Sequence, residues 1–397
     1  MKTLLLTSSL LLTSFFTRAQ TTAIPDVNFE QALINLGFDN TLDGIVLTSN
    51  ISTIDSLNVN SSNISDLTGI EDFTALSALF CEGNQISSLD VTQNTTLIYL
   101  YCNHNQLTSL DITQNISLNI LHCFYNQLTS IDLTQNSALI YLDCNHNQLT
   151  NLDITQNTAL ANLRFIDNQL TTLDATQNSA LINLECENNQ LSSIDITQNI
   201  ALKYLYCMNN QLTSLDVTQN SALTTLRCVN NQLANLDLTQ NTVLGVLRCD
   251  DNQLSCLNLK NGSSSLFWII ADNNPNLTCI EVDNVSLSNN WTVTLDPQTS
   301  FSTNCNNSCS TVGIEEKLIT STTIYPNPTS KTINIDLGES LINPTITLTN
   351  SLGQVVLNKR FDTTDLIHLD IDAPKGIYFL QLRTEEGSVI TKKIIKE

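Results

Sequence analysis

The sequence predicts a parallel-sheet solenoid of the α/β type followed by a C-terminal all-β sandwich. Three observations predict it. A unit of 21 residues recurs about nine times between Leu76 and Leu266, as in "YLYCNHNQLTSLDITQN" at 99–115 and "YLDCNHNQLTNLDITQN" at 141–157. Within each unit, alternation around a Leu and a Cys reads as a short strand with one buried face. After residue 321 the period is lost, and longer alternating runs separated by "SLGQ", "APKG" and "EEGS" read as antiparallel strands.

In order, residues 1–19 carry Lys2, a short apolar run and the small residue Ala19, which reads as a signal peptide cut after Ala19. The apolar run is too short to span a bilayer comfortably, and no later stretch is apolar enough, so no transmembrane segment is expected. Residues 20–75 read as a cap: "IPDVNFEQALINLGF" places Phe29, Leu33 and Leu36 at helical spacing, and one irregular unit follows. Nine repeats then occupy 76–265. Residues 266–309 keep part of the pattern and read as the cap of the other end, where an open solenoid would expose core. Residues 310–321 are a polar linker, and 322–397 form the last domain.

Each unit reads L-x-x-L-x-C-x-x-N-x-L-x-x-L-D-x-T-x-N. Its first eleven positions resemble the leucine-rich repeat, with Cys in place of the third Leu. Nine such units in register make residues 25–304 similar to bacterial internalin-like solenoids, including the opening helix. The tail resembles the C-terminal sorting domain of the type IX secretion system of Bacteroidota, in Tyr325-Pro326-Asn327-Pro328, "LTNSLGQVV", Gly376-Ile377-Tyr378 and "KKIIK". That resemblance implies a partner in the type IX machinery through 322–397. It also implies passage across the outer membrane, then attachment to its outer face or release. An ordinary adhesive sandwich is the plainer reading of the same strands.

The columns of the repeat have separate jobs. Cys81, Cys102, Cys123, Cys144, Cys186, Cys207, Cys228 and Cys249 point inward, and Phe165 takes the ninth place. The column therefore wants apolar volume, which buried free thiols supply. Asn84 to Asn252 lie where the chain leaves each strand and are expected to satisfy backbone groups there. Asp90, Asp111, Asp132, Asp153, Asp174, Asp195, Asp216 and Asp237 read as turn caps. A row of calcium ions is the alternative for these aspartates, although the glycine-rich nonapeptide of calcium solenoids is missing. Of Cys256, Cys279, Cys305 and Cys309, a Cys279–Cys305 disulfide would close the cap, with Cys256–Cys279 as the rival.

Charge narrows the function. The formal net charge is −22, and residues 20–309 hold only Arg164, Lys203, Arg227, Arg248 and Lys260 as basic residues. Nucleic acid needs basic stripes, so it is not an expected partner. The exposed strand positions fall in three columns on one concave face. Five of the eight tyrosines stand there, with three arginines, and Lys203 sits at the edge. Tyr and Arg dominate binding energy at interfaces. Tyr99, Tyr101, His122, Phe124, Tyr141, Arg164, Lys203, Tyr204, Tyr206, Arg227 and Arg248 are the expected ligand-binding residues. Drift among repeats is the competing account of their variety.

Catalysis has little support: His122 and Asp143 are column neighbours, but no nucleophile faces them. His104 and His146 lie two rungs apart, too far to share a metal, and no cofactor is implied. The expected function is a secreted or cell-surface binding or adhesion protein that presents its concave face to an extracellular protein or glycan. A polysaccharide-capture module using tyrosine stacking and a structural surface component without a specific ligand are the alternatives.

Overall fold

The structure is a computed structural model that describes residues 19–262, 265–288, 290–305, 322–350, 354–383 and 389–397. The leader before Ala19, the linker 310–321 and Cys309 lie outside the described residues. The chain divides into two compact units, residues 1–307 and 308–397.

The first unit is a solenoid whose main sheet has 12 parallel strands, from Ser56–Asn58 through Thr292–Thr294. Equivalent residues pair across neighbouring rungs, as in Tyr99↔Ile120 and Tyr204↔Thr225. The sheet runs past the regular repeats at both ends. Ser56–Asn58 joins it on one side, and Trp268–Ile270 and Thr292–Thr294 on the other, all inside segments expected to be caps. Leu57 and Val59, and Ile269 and Ala271, are buried at the same two strand positions, while Val293 and Leu295 of the last rung are partly buried. Toward the C-terminal end the aspartate edge also forms a sheet, of Asn235–Asp237, Cys256–Leu259, Cys279–Val282 and Ser300–Ser302.

The N-terminal helix runs Val27–Asn35, and Asp26 caps it by accepting from the backbone N–H groups of Asn28 and Phe29. The same carboxylate also accepts from Ser65, which ties the helix to the first turn. Phe29 and Leu33 are fully buried as their spacing predicts. Leu36 is not: it is the C-cap and 43% exposed, because the helix ends one residue before it could turn inward.

One continuous core fills the solenoid. Leucines from every rung join the eight cysteines and Phe165, and these nine residues have 0% exposure. The eight thiols are free. Several donate weakly to the carbonyl one rung on, as Cys81 Sγ does to Tyr101 at 3.4 Å. Burial pushes the Cys102 thiol up to about 12, so the ladder stays protonated and unreactive at neutral pH. Thiol titration of the native protein is expected to find none of these eight, and titration after denaturation without reductant all of them. Recovery of almost none would mean that they are oxidised or ligated.

Two asparagine columns stitch the rungs together. In the first, Asn105 accepts from the Ile86 N–H at 3.0 Å and donates to the Cys81 and Cys102 carbonyls. The second is the Asn that ends each unit. Asn157 is fully buried and donates to the Leu133 and Asn136 carbonyls of the preceding rung, at 3.1 and 2.9 Å. These amides neutralise carbonyls that a strandless turn would bury unpaired.

The second unit packs a three-stranded sheet (Thr323–Tyr325, Thr332–Leu341, Thr364–Asp370) with a four-stranded sheet (Thr345–Asn350, Val355–Arg360, Gly376–Arg383, Val389–Lys396). The strands within each sheet pair antiparallel, and one isolated bridge, Thr329 to Lys396, is parallel. Ile333, Ile335, Ile346, Leu348, Ile367, Leu380 and Ile394 form its core.

Candidate functional site

Strand alternation places the expected columns on one face of the 12-stranded sheet. The first, second and third columns do not behave alike. Tyr99 and Tyr204 are 39% and 40% exposed, whereas Asp143 and Glu187 are buried despite their charge.

At the N-terminal half the rings form a stack. Phe80 and Tyr101 lie 5.0 Å apart, Tyr101 and His122 4.5 Å, and His122 and Tyr141 4.9 Å, the last two pairs within about 10° of parallel. Neighbouring rungs are separated by roughly 4.8 Å, which lets planar side chains stack in register, as Tyr101 does on His122, or on a diagonal, as His122 does on Tyr141. A second stack runs along the strand exits: His104 to Tyr125 at 4.5 Å, then Tyr125 to His146 at 4.0 Å. His146 Nδ1 ends it on Asp167 at 3.0 Å. Phe124 bridges the two stacks, edge-on to both His104 and His122. These exit residues have left-handed backbones, with φ of 53°, 51° and 51° at His104, Tyr125 and His146. Other rungs put Asn or Asp there, which tolerate that conformation better. A tyrosine at φ 51° is an outlier beside this face of the sheet.

The arginines are not free. Arg164 is forked between Asp143 at 3.0 Å and Glu185 at 2.8 Å, and also reaches the Tyr141 hydroxyl at 3.5 Å. Burial raises the Asp143 pKa, and Arg164 only partly offsets it. Arg248 chelates Asp250 at 2.8 and 3.2 Å. Arg227 lies over the Tyr206 ring, 5.2 Å from its centroid, with its Nε unpartnered. Lys203 is exposed, with no ion pair among the described residues. Arg227 and Lys203 are thus the basic residues of this face that have no carboxylate partner among the described residues. The signal was in the sequence: Asp143, Arg164 and Glu185 are consecutive members of one column.

His122 and Asp143 do not form a relay. Asp143 is taken by Arg164, and His122 lies between two tyrosine rings, where burial first and Arg164 second lower its pKa and favour the neutral form. Glu187 has its carboxyl pushed up to about 7, chiefly by burial. Its folded pKa is raised above the ordinary 4.5. Its ionisation therefore opposes folding, and the stability present below 4.5 is lost as the pH rises toward 7.

On the opposite edge each aspartate closes a turn. Asp90 Oδ1 accepts from the Thr92 N–H at 2.9 Å and the Thr92 hydroxyl at 2.7 Å, and the pattern repeats at Asp111, Asp132, Asp153, Asp174, Asp195 and Asp216. These bonds hold the Asp90 and Asp153 carboxyls below their usual range. One oxygen of each is thereby committed to the turn. A calcium chelator is expected to leave the melting temperature unchanged; a fall of more than about 10 °C would instead place ions along this edge.

At the C-terminal end Cys279 is bonded to Cys305, with Cα atoms 5.7 Å apart, and Cys256 is also disulfide-bonded. Among the described residues no helix is long and apolar enough to cross a membrane.

Comparisons with known proteins agree with this geometry. Residues 323–397 match the secretion system C-terminal sorting domain. The functional domain of InlJ from Listeria monocytogenes, described as including a cysteine ladder, superposes with a TM-score of 0.57 at 24% identity, over 96% of this chain and 99% of that one. The chain is a leucine-rich-repeat solenoid that ends in a sorting domain. An internalin of Listeria monocytogenes strain 4b F2365, InlF, is similar to the leucine-rich-repeat chain with a TM-score of 0.54 at 17% identity, over 70% and 95% of the two chains. A Leptospira interrogans leucine-rich-repeat protein has a TM-score of 0.52 at 20% identity, over 64% and 85%. Internalin J of Listeria monocytogenes serotype 4b is 37% identical over 71 residues, which is 18% of this chain and only 8% of that relative's length. The sorting domain links the leucine-rich-repeat protein to type IX secretion, and so to release or surface attachment.

Proposed function

We propose that the solenoid binds an extracellular protein through its concave face. The observation that carries this reading is the row of stacked, half-exposed rings from Phe80 to Tyr141, set on rigid strands. Rings fixed in this way lose little entropy on binding and present both apolar area and polar tips. The Tyr206–Arg227 pair adds a second anchor of the types that dominate interface energy.

Stacking also weighs against polysaccharide capture by ring faces. Tyr101 lies between Phe80 and His122, and His122 between Tyr101 and Tyr141, so the faces of these two rings meet other rings, and Arg227 takes one face of Tyr206. We read the protein as a non-enzymatic binder displayed on the outer face of the outer membrane or released from it. The deciding experiment is a paired screen of the full chain against a glycan array and a panel of purified extracellular proteins. A saturable protein hit supports the reading, a glycan hit alone favours capture, and silence in both with self-association favours a structural role.

A further inference from the structure

Five carboxylates lie on the concave face of the regular rungs, and four have partners. Glu82 accepts from Asn60 and Asn103 at 3.0 and 3.4 Å. Asp143 and Glu185 share Arg164, and Asp250 holds Arg248. Glu187 differs: the donor at its carboxyl is its own backbone N–H. It is only 8% exposed, and its Oε2 has no hydrogen-bond partner among the described residues.

Its surroundings make that costly. The pairing of the Asp167 N–H with the Glu187 carbonyl, and of the Asn188 N–H with the Met208 carbonyl, sets Ile166 and Met208 on either side of it in the third column. A carboxylate between two apolar walls is expensive without a donor. The charged and titratable groups around it do not supply one. Glu185 is of like charge; Arg164 is divided between two other acids; Arg227 rests on Tyr206; Cys186 and Cys207 are neutral thiols in the core beneath.

We propose that Glu187 is a recognition subsite for one ammonium group, the head of a lysine presented by the protein ligand. The proposal rests on the concave-face reading and adds a residue-level chemistry to it. What Oε2 lacks is a single donor; it is closed to solvent in the free protein, so the Glu187 side chain has to turn outward to receive one, and a lysine brings a compact charge with donors that rotate to suit. Ile166 and Met208 flank the place where its methylene stem would lie. A neutral hydroxyl would satisfy the hydrogen bond and leave the charge uncompensated. The strongly acidic solenoid favours a basic partner at longer range. The step is a proton exchange: the protonated carboxyl of Glu187 and the ligand's ammonium become a carboxylate–ammonium pair, and one proton leaves to solvent. That agrees with a free carboxyl that titrates at about 7.

The test reads Glu187 directly. Full-length protein labelled at the glutamate δ-carbon is titrated by NMR, and the Glu187 signal is assigned as the one lost in E187Q, with E187D as a second assignment. The titration midpoint is compared in sodium chloride, in n-butylammonium chloride and in methyl glucoside. The expected result is a midpoint near neutrality that falls by about half a pH unit or more with the amine alone. A midpoint in the ordinary carboxylate range without amine overturns the proposal, as does one that the amine does not move. Movement by methyl glucoside instead would assign the subsite to a sugar hydroxyl. None of these outcomes depends on the unidentified partner, so the concave-face reading is judged separately, by the screen and by the tyrosine variants below.

Discussion

Replacing Phe165 with cysteine, the residue its column uses elsewhere, is expected to lower the unfolding free energy by about 2–4 kcal/mol. Phe165 and Ala175 belong to one rung, and both are fully buried. At the position of Ala175 the neighbouring rungs carry Val91, Ile112, Leu133, Ile154, Ile196, Val217 and Leu238. The rung with the largest residue in one column thus has the smallest in another. Total volume is conserved, as a close-packed interior requires. The single substitution leaves a cavity; adding Ala175→Ile is expected to restore most of the loss. Denaturant unfolding of the parent, both single variants and the double variant gives the coupling. A double variant no more stable than Phe165→Cys alone would show that the two residues do not share space.

Changing Tyr204 and Tyr206 together to alanine is expected to weaken ligand binding by about 2 kcal/mol or more, roughly thirtyfold in Kd. Tyr204 is 40% exposed, and Tyr206 stands between Glu185 and Arg227 in its column. Its removal strips the ring from beneath the Arg227 guanidinium. Stability is expected to change by less than about 1 kcal/mol, since neither ring enters the core. With a ligand from the screen, calorimetry or surface binding measures the change. Parental affinity in the double variant would move attention to the first ring stack or to the aspartate edge.

The fold could be read from the sequence because a 21-residue period in phase over nine units leaves one way to bury every Leu and Cys. Which residues share one face of the sheet followed from strand alternation alone. Other features were harder to read, for two physical reasons. The terminal Asn of each unit sits in "x-T-Q-N", whose local chemistry is that of a turn. Its burial comes from stacking on the preceding rung, as Asn157 does on Asn136, and no single unit encodes that. The second ring stack uses His104, Tyr125 and His146 at a position that reads as a loop; only aromatic residues where other rungs place Asn or Asp could have flagged it. Leu36 failed for the opposite reason: its spacing was helical, but the helix stopped first.

The asparagine that ends each unit donates backward only, to carbonyls of the rung before it, as Asn115 does to Val91 and Asn94. Losing a rung at the C-terminal side therefore leaves every earlier donor bonded, whereas losing one at the N-terminal side strands the amides of the next. The two ends of the array are thus unequal in how they fray. The Cys279–Cys305 bridge lies at the end that these amides protect least. Backbone amide exchange should rise stepwise toward that end when the bridge is reduced, while the rungs near Asn94 keep their protection.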